Sequence, residues 1–278
     1  MVNLNGHILD DKTVLSIDNR GFRYGDALFE TIKVVNGKIL FWETHYFRLM
    51  ASMRIIRMEI PMTFTMEFLE GQIIKTLESN NLVNAAAKVR LYVYRNEGGL
   101  YAPTDNNVAY FITADQLAHE GFTFDESHYE VDLFKDYYVA PGLLSTLKTN
   151  NKILNVVGSV YAQENGLDNC LVLNTNKQVV EALNGNVFVL KDNQLKTPPL
   201  SDGCLKGVMR QQIIEIAKKI QDITVVEDSI SPFELQKVDE LFITNTIIGI
   251  RPVTTYRKKS YETNLSRRLI EALNDAIQ

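Results

Sequence analysis

Lys148 stands in the run Leu147-Lys148-Thr149-Asn150-Asn151, after the turn-prone Pro141-Gly142 and just ahead of an apolar stretch with helical spacing. An amine can act as a nucleophile and as a proton carrier, yet a lysine taken alone is most often a solvated surface charge. The same holds for Glu181, which by itself is an edge-strand acid, and for Arg48, which by itself is a helix-surface charge. Two features could suit an anion. The planar fork of Arg48 can bind an oxyanion in bidentate fashion. Gly207, Val208 and Met209 open a helix, where unpaired N–H groups and the helix dipole attract negative charge, although Gly207 could also be a simple turn. His45, in His45-x-x-Arg48-Leu49, is read as structural, because nothing in such chemistry requires it as a base. His7, His119 and His128 form no ligand pattern with acids or cysteines, and no metal site is expected.

The elements that must hold these residues follow from periodicity. Alternation over 15–40, as in Phe29, Thr31, Lys33 and Val35, predicts paired strands with turns at Gly25 and Asn36-Gly37. Phe47, Met50, Met53 and Ile56 predict an apolar helix face before Pro61, and 65–79 predicts a second helix with Met66, Leu69, Ile73 and Leu77 inward. Strand alternation returns in Val89, Leu91 and Val93 and again over 108–112. The pattern lapses over 115–123, where the connection between two domains is placed. Beyond it the sequence predicts a strand over 131–134, a helix over 150–164 closed by Gly166, strands over 170–173, 179–181 and 186–190, and a helix over 207–220 that buries Ile213, Ile216, Ala217 and Ile220. Ser231-Pro232-Phe233-Glu234, with Ile230 and Leu235 as a hydrophobic staple, predicts another helix start. A strand over 240–246 and a last helix with Leu265, Leu269, Leu273 and Ile277 inward complete the chain.

Composition narrows the function classes. With 278 residues, 45% hydrophobic and 23% charged, the chain has the make-up of a folded globular protein of one large or two modest domains. A net charge of −5 from interspersed acids and bases offers no basic stripe, so nucleic acid is not an expected partner. No stretch reaches the roughly 18 to 20 apolar residues of a membrane span, and the amino terminus lacks the pattern of a leader segment. The two cysteines, Cys170 and Cys204, lie far apart and suit a reducing compartment, so a cytoplasmic location is expected.

Six landmarks occur in order: the run from Arg20 to Glu30 (RGFRYGDALFE), the run from Glu43 to Leu49 (ETHYFRL), Lys148, the run from Glu181 to Phe188 (EALNGNVF), Leu205-Lys206-Gly207-Val208-Met209-Arg210, and Phe242-Ile243-Thr244-Asn245-Thr246. Together they resemble the class IV aminotransferases, a family that includes branched-chain aminotransferases, D-amino acid aminotransferases and aminodeoxychorismate lyases. The resemblance spans nearly the whole chain. It implies the D-amino acid aminotransferase-like fold of the α/β class, with a small α+β domain over 1–119 and a larger mixed α/β pseudo-barrel domain over 120–278 that carries Lys148. It implies pyridoxal 5'-phosphate as cofactor, joined to Lys148 as a Schiff base, with the freed amine then carrying the α-proton. Glu181 would pair with the pyridine nitrogen, and Arg48, Gly207, Val208, Met209, Asn245 and Thr246 would hold the phosphate. Phe29 falls on the strand that lines the pocket in relatives, and Arg95 or Tyr101 lies in the region that closes over substrate. A homodimer acting on an amino acid or amino-acid-like small molecule is also implied.

Within the family, Asn151 three places after Lys148, with Ile153 where branched-chain enzymes carry tyrosine, looks more like the D-amino acid aminotransferases and the lyases. Three functions therefore stand: amino transfer between an amino acid and a 2-oxo acid, aminodeoxychorismate lysis to 4-aminobenzoate and pyruvate, and a relative that binds the cofactor without turnover.

Overall fold

The computed structural model describes residues 1–10 and 15–277. Two compact units emerge, Met1–Glu120 with Lys148–Asn151, and Gly121–Leu147 with Lys152–Gln278. The first carries β1 (Val2–Leu4), β2 (His7–Leu9), α1 (Arg20–Tyr24), β3 (Ala27–Val35), β4 (Lys38–Ile39), α2 (Trp42–Ile55), α3 (Met66–Ser79), β5 (Ala86–Arg95) and β6 (Val108–Gln116). Its six strands form an antiparallel sheet in the order β2-β1-β6-β5-β3-β4. Alternation decides what each face does: Leu28, Ile32 and Val34 of β3 and Val89, Leu91 and Val93 of β5 enter a core closed by Leu49 and Met53 of α2 and Leu69, Ile73 and Leu77 of α3. Asn36 (φ 48°) and Gly37 (φ 76°) make the β3–β4 hairpin turn that their sequence predicts.

Three expectations for this unit need correction. Residues 20–24 are helical rather than extended, because the Asn19 side chain accepts the Phe22 N–H at 3.1 Å and Gly25 closes the turn in the left-handed region, so the two caps override the local alternation. Phe47 is 56% exposed, since it lies half a turn away from the buried Trp42, His45, Leu49 and Ser52 stripe of α2. Lys148, expected in the second domain, lies in a segment that packs with the first. The Phe29 N–H donates to the Lys148 carbonyl at 3.0 Å, and the Asn150 N–H to that of Ala27 at 3.1 Å, so 148–150 runs as an extra edge along the start of β3.

The second unit carries β7 (Glu130–Val139), α4 (Ile153–Glu164), β8 (Asn169–Asn174), β9 (Val179–Ala182), β10 (Gly185–Lys191), β11 (Gln194–Thr197), α5 (Val208–Ala217), β12 (Thr224–Glu227), β13 (Glu240–Asn245), β14 (Gly249–Val253), β15 (Thr255–Tyr256), β16 (Lys259–Ser260) and α6 (Asn264–Ile277). Ten strands make one mixed, branched sheet, β12-β11-β10-β9-β8-β7-β15-β16, with β13 pairing β10 and β14; the β7–β8, β7–β15 and β11–β12 pairs are parallel. One face of β7 and β8 packs Phe134, Cys170 and Val172 under α4, and the other contributes Leu133, Leu171 and Leu173 to a larger cluster with Ile230, Leu235 and Tyr256. Leu265, Leu269 and Leu273 of α6 are buried, and the Glu240 carboxylate caps that helix by accepting the N–H groups of Leu265 and Ser266.

Two further expectations change here. Ile220 lies beyond the end of α5 and is only half-buried. The start at Ser231 yields a single 3₁₀ turn, Glu234–Gln236, rather than an α-helix. The local signals do form: Glu234 accepts the Ser231 N–H at 2.9 Å, and Ile230 and Leu235 are both fully buried. The chain cannot continue as a helix because Val238 enters the core and Glu240 must begin β13 opposite Leu190.

Candidate active site

In the first unit, Glu30 and Phe29 sit side by side on β3 and so point to opposite faces of the sheet. On one side the two oxygens of Glu30 engage Arg48 of α2 through Nε, at 2.8 Å, and Nη2. Glu30 also accepts from His45 Nδ1 at 2.6 Å, and all three side chains are buried. Burial by itself would raise the Glu30 carboxyl, but the Arg48 guanidinium and the His45 hydrogen bond outweigh it and hold it at about 2. Burial pushes His45 below the usual histidine range despite Glu30, so the ring is neutral with Nδ1–H donating. Glu30 is the partner that the sequence did not identify; the signal available was an acid inside an alternating strand, on its apolar face.

Beside the Phe29 face, the Lys148 amine stands 4.4 Å from the ring centre, close enough to His45 that its charge helps to hold that imidazole low. Phe29 stacks on Tyr92 and Tyr92 on Phe111, which makes a half-buried aromatic wall beside the amine. Arg90, two residues from Tyr92, shares this face. Asn151 donates to the Gly25 carbonyl at 3.2 Å, and a Cβ on Gly25 would lie 2.4 Å from the Asn151 amide oxygen, so the glycine is what lets the lysine segment come this close.

Arg95 and Tyr101 part company. The Arg95 guanidinium is buried and donates to Asp26, Asn106 and the carbonyls of Ile56 and Arg57, which corrects its expected place on substrate: it is a strut. Asp26 also receives Arg20, whose remaining donors hold the carbonyls of Gly98, Leu100 and Tyr101. The Gly98-Gly99 loop is thus fastened from below, while the Tyr101 ring stays 89% exposed, 5.7 Å from that of Tyr24.

In the second unit, Glu181 of β9 lies opposite Asn186 of β10. Glu181 accepts the Leu205 N–H at 3.0 Å, and Asn186 donates to the Leu205 carbonyl at 2.8 Å, so the residue before Lys206-Gly207 is clamped at both ends. Gly207 has no room for a side chain: a Cβ there would be 1.9 Å from the Asn186 amide oxygen. It forms the cap of α5 without any side-chain hydrogen bond, while the buried Val208 and Met209 side chains anchor the first turn. Asn245 shapes the next loop, accepting the N–H groups of Ile247 and Ile248 and donating to the Asn184 carbonyl. Thr244, opposite Asn186, buries a hydroxyl that has no partner among the described residues. An uncapped helix start, a glycine that admits no side chain and an orphaned hydroxyl on the same strand pair suit a phosphate ester. No group of three potential metal ligands occurs among the described residues.

The first unit thus holds a lysine pinned beside an aromatic wall, and the second a strand carboxylate and an uncapped helix start with a buried hydroxyl nearby. The family profile for amino-transferase class IV matches residues 27–256, and the chain belongs to that family. It is 31% identical over 263 residues to the D-alanine aminotransferase of Listeria monocytogenes, covering 90% of this chain and 86% of that protein. It is 24% identical over 246 residues to the aminodeoxychorismate lyase of Vibrio harveyi, covering 87% and 88%. The branched-chain amino acid aminotransferase of Escherichia coli shares the fold, with a TM-score of 0.88 at 21% identity over 100% of this chain and 94% of that one.

Proposed function

We propose that this class IV enzyme moves an amino group between an amino acid and a 2-oxo acid with pyridoxal 5'-phosphate as cofactor. The observation that carries the reading is Lys148, whose main chain is fastened along β3 so that its amine stands over Phe29, on a wall fit to receive a flat ring. When bound, the cofactor supplies an aldehyde for amine exchange and a ring that draws electrons from the substrate α-carbon. Lys148 Nζ would hold the cofactor aldehyde and would carry the proton at the substrate α-carbon. Glu181 would face the pyridine nitrogen and favour its protonated form. Arg48, Gly207, Val208, Met209 and Thr246 would hold the phosphate, the helix start through its N–H groups, with Asn245 shaping the loop. Phe29 and Tyr101 line the substrate side, and Arg90 adds a cation there for a carboxylate.

Borohydride reduction of the yellow holoenzyme followed by peptide mapping is expected to place the label on Lys148. A label on another lysine, or on none, ends this assignment. A second reading, aminodeoxychorismate lyase, is supported by the Vibrio harveyi relative and by the spacing of Lys148 and Asn151; release of 4-aminobenzoate from aminodeoxychorismate decides for it. We also propose a cytoplasmic homodimer. Ile153, Val156 and Val160 make an exposed apolar stripe on α4, and Leu143 and Leu144 are exposed as well. No helix among the described residues is long and apolar enough to cross a membrane.

A further inference from the structure

Beside the single turn Glu234–Gln236 the second unit holds a cavity of about 820 Å³. Its floor is apolar, with Leu133 of β7, Leu173 of β8 and Tyr256 of β15 drawn from the core cluster. At its lip Phe233 is 82% exposed although it lines the cavity, and Lys177 holds its ammonium 3.4 Å from the centre of the Tyr138 ring. The volume is that of a small-molecule site.

Charge selects the occupant. Glu234 is already engaged by Lys196 at 2.7 Å, Asp228 lies 4.0 Å from the same ammonium, and Arg257 is engaged by Asp132 at 3.0 Å. Lys135 and Lys177, both lining the cavity, have no ion pair among the described residues. A cationic ligand would be repelled, and a neutral apolar one would cover these ammonium groups without pairing them. Among the described residues no α-helix start lines the cavity, so it lacks the converging N–H donors of a helix-start phosphate site. We propose that this cavity is a second binding site, separate from the Lys148 chemistry, for a small aromatic monocarboxylate: its ring lies on the apolar floor against Phe233, and its carboxylate meets Lys177 and Lys135.

The test is calorimetric titration of 2-naphthoate into the holoenzyme, with 2-naphthylmethanol as the uncharged control of the same shape. One saturable site per chain is expected, with the alcohol weaker by about tenfold. Lys177→Asn keeps a residue that tolerates the left-handed backbone found there (φ 62°) and is expected to weaken 2-naphthoate about tenfold, and Phe233→Ala about fivefold. Both side chains are exposed, so neither change should disturb folding or turnover. Absence of saturable binding overturns the proposal. So does binding that both variants leave unchanged, or binding abolished by a saturating amino donor, which would assign it to the catalytic site. None of these outcomes bears on the role of Lys148.

Discussion

Glu30→Gln tests the buried cluster of the first unit most directly. The substitution keeps the shape of the side chain and leaves the Arg48 guanidinium buried against an amide. In the folded protein the Glu30 carboxyl is held at about 2 against an ordinary 4.5, which corresponds to about 3 kcal/mol of stability at neutral pH. Removing one partner of a buried ion pair costs about 3 to 5 kcal/mol in general, so two independent routes agree on roughly 3. The group is fully buried, and solvent screening does not reduce the figure. The sign follows from the direction of each shift. Glu30 is depressed, so its contribution is complete above pH 4.5 and is lost as the pH falls toward 2. His45 is also depressed; the unfolded chain takes up its proton below the ordinary 6.5 while the folded ring resists, so stability begins to erode there. The wild-type protein should therefore weaken in two stages on acidification, and the variant should lack the second. Urea unfolding followed by the single tryptophan, Trp42, reports on this unit because the residue lies one turn from His45 on α2. The expected result is a difference of about 3 kcal/mol near neutrality that narrows below pH 4.5, and a Glu30→Gln/Arg48→Met double variant that loses less than the two single changes added together. A loss under about 1 kcal/mol at neutral pH, or a difference that stays constant on acidification, would refute the cluster as described.

Arg95→Ala is expected to lower the stability of the cofactor-free protein by about 3 kcal/mol, because it strips a partner from the half-buried Asp26 carboxylate and from two carbonyls and removes a buried side chain. Unchanged stability with a raised KM for the amino acid would instead return Arg95 to the substrate. Gly207→Ala should weaken cofactor binding by about tenfold or more in equilibrium dialysis and cost about 1 to 3 kcal/mol, since the new methyl would meet Asn186 and shift the start of α5. Cofactor affinity equal to that of the wild type would exclude the helix start as the phosphate cradle.

Most of the secondary structure follows from local rules in the chain. Period-two and helical spacing place β3, β5, α2, α3 and α6, and Asn36-Gly37 specifies its hairpin, because one turn or one sheet face sets these patterns within a few residues. The order of the six landmarks likewise identifies the family without any contact being known. Tertiary structure decided the remainder. Ser231 carries every local signal of a helix, yet the pull of Val238 into the core and the register of β13 against β10 stop it after one turn. Arg95 and Glu30 are indistinguishable in sequence from surface charges on alternating strands; each acquires its role from residues far along the chain, Asp26 and Asn106 for one, Arg48 and His45 for the other. The Lys148 segment follows the boundary between units in sequence but packs with the first unit, because backbone hydrogen bonding to Ala27 and Phe29 outweighs chain proximity. Periodicity acts over one or two turns of chain, whereas burial and charge pairing depend on which distant groups arrive, and that is settled only when the chain has folded.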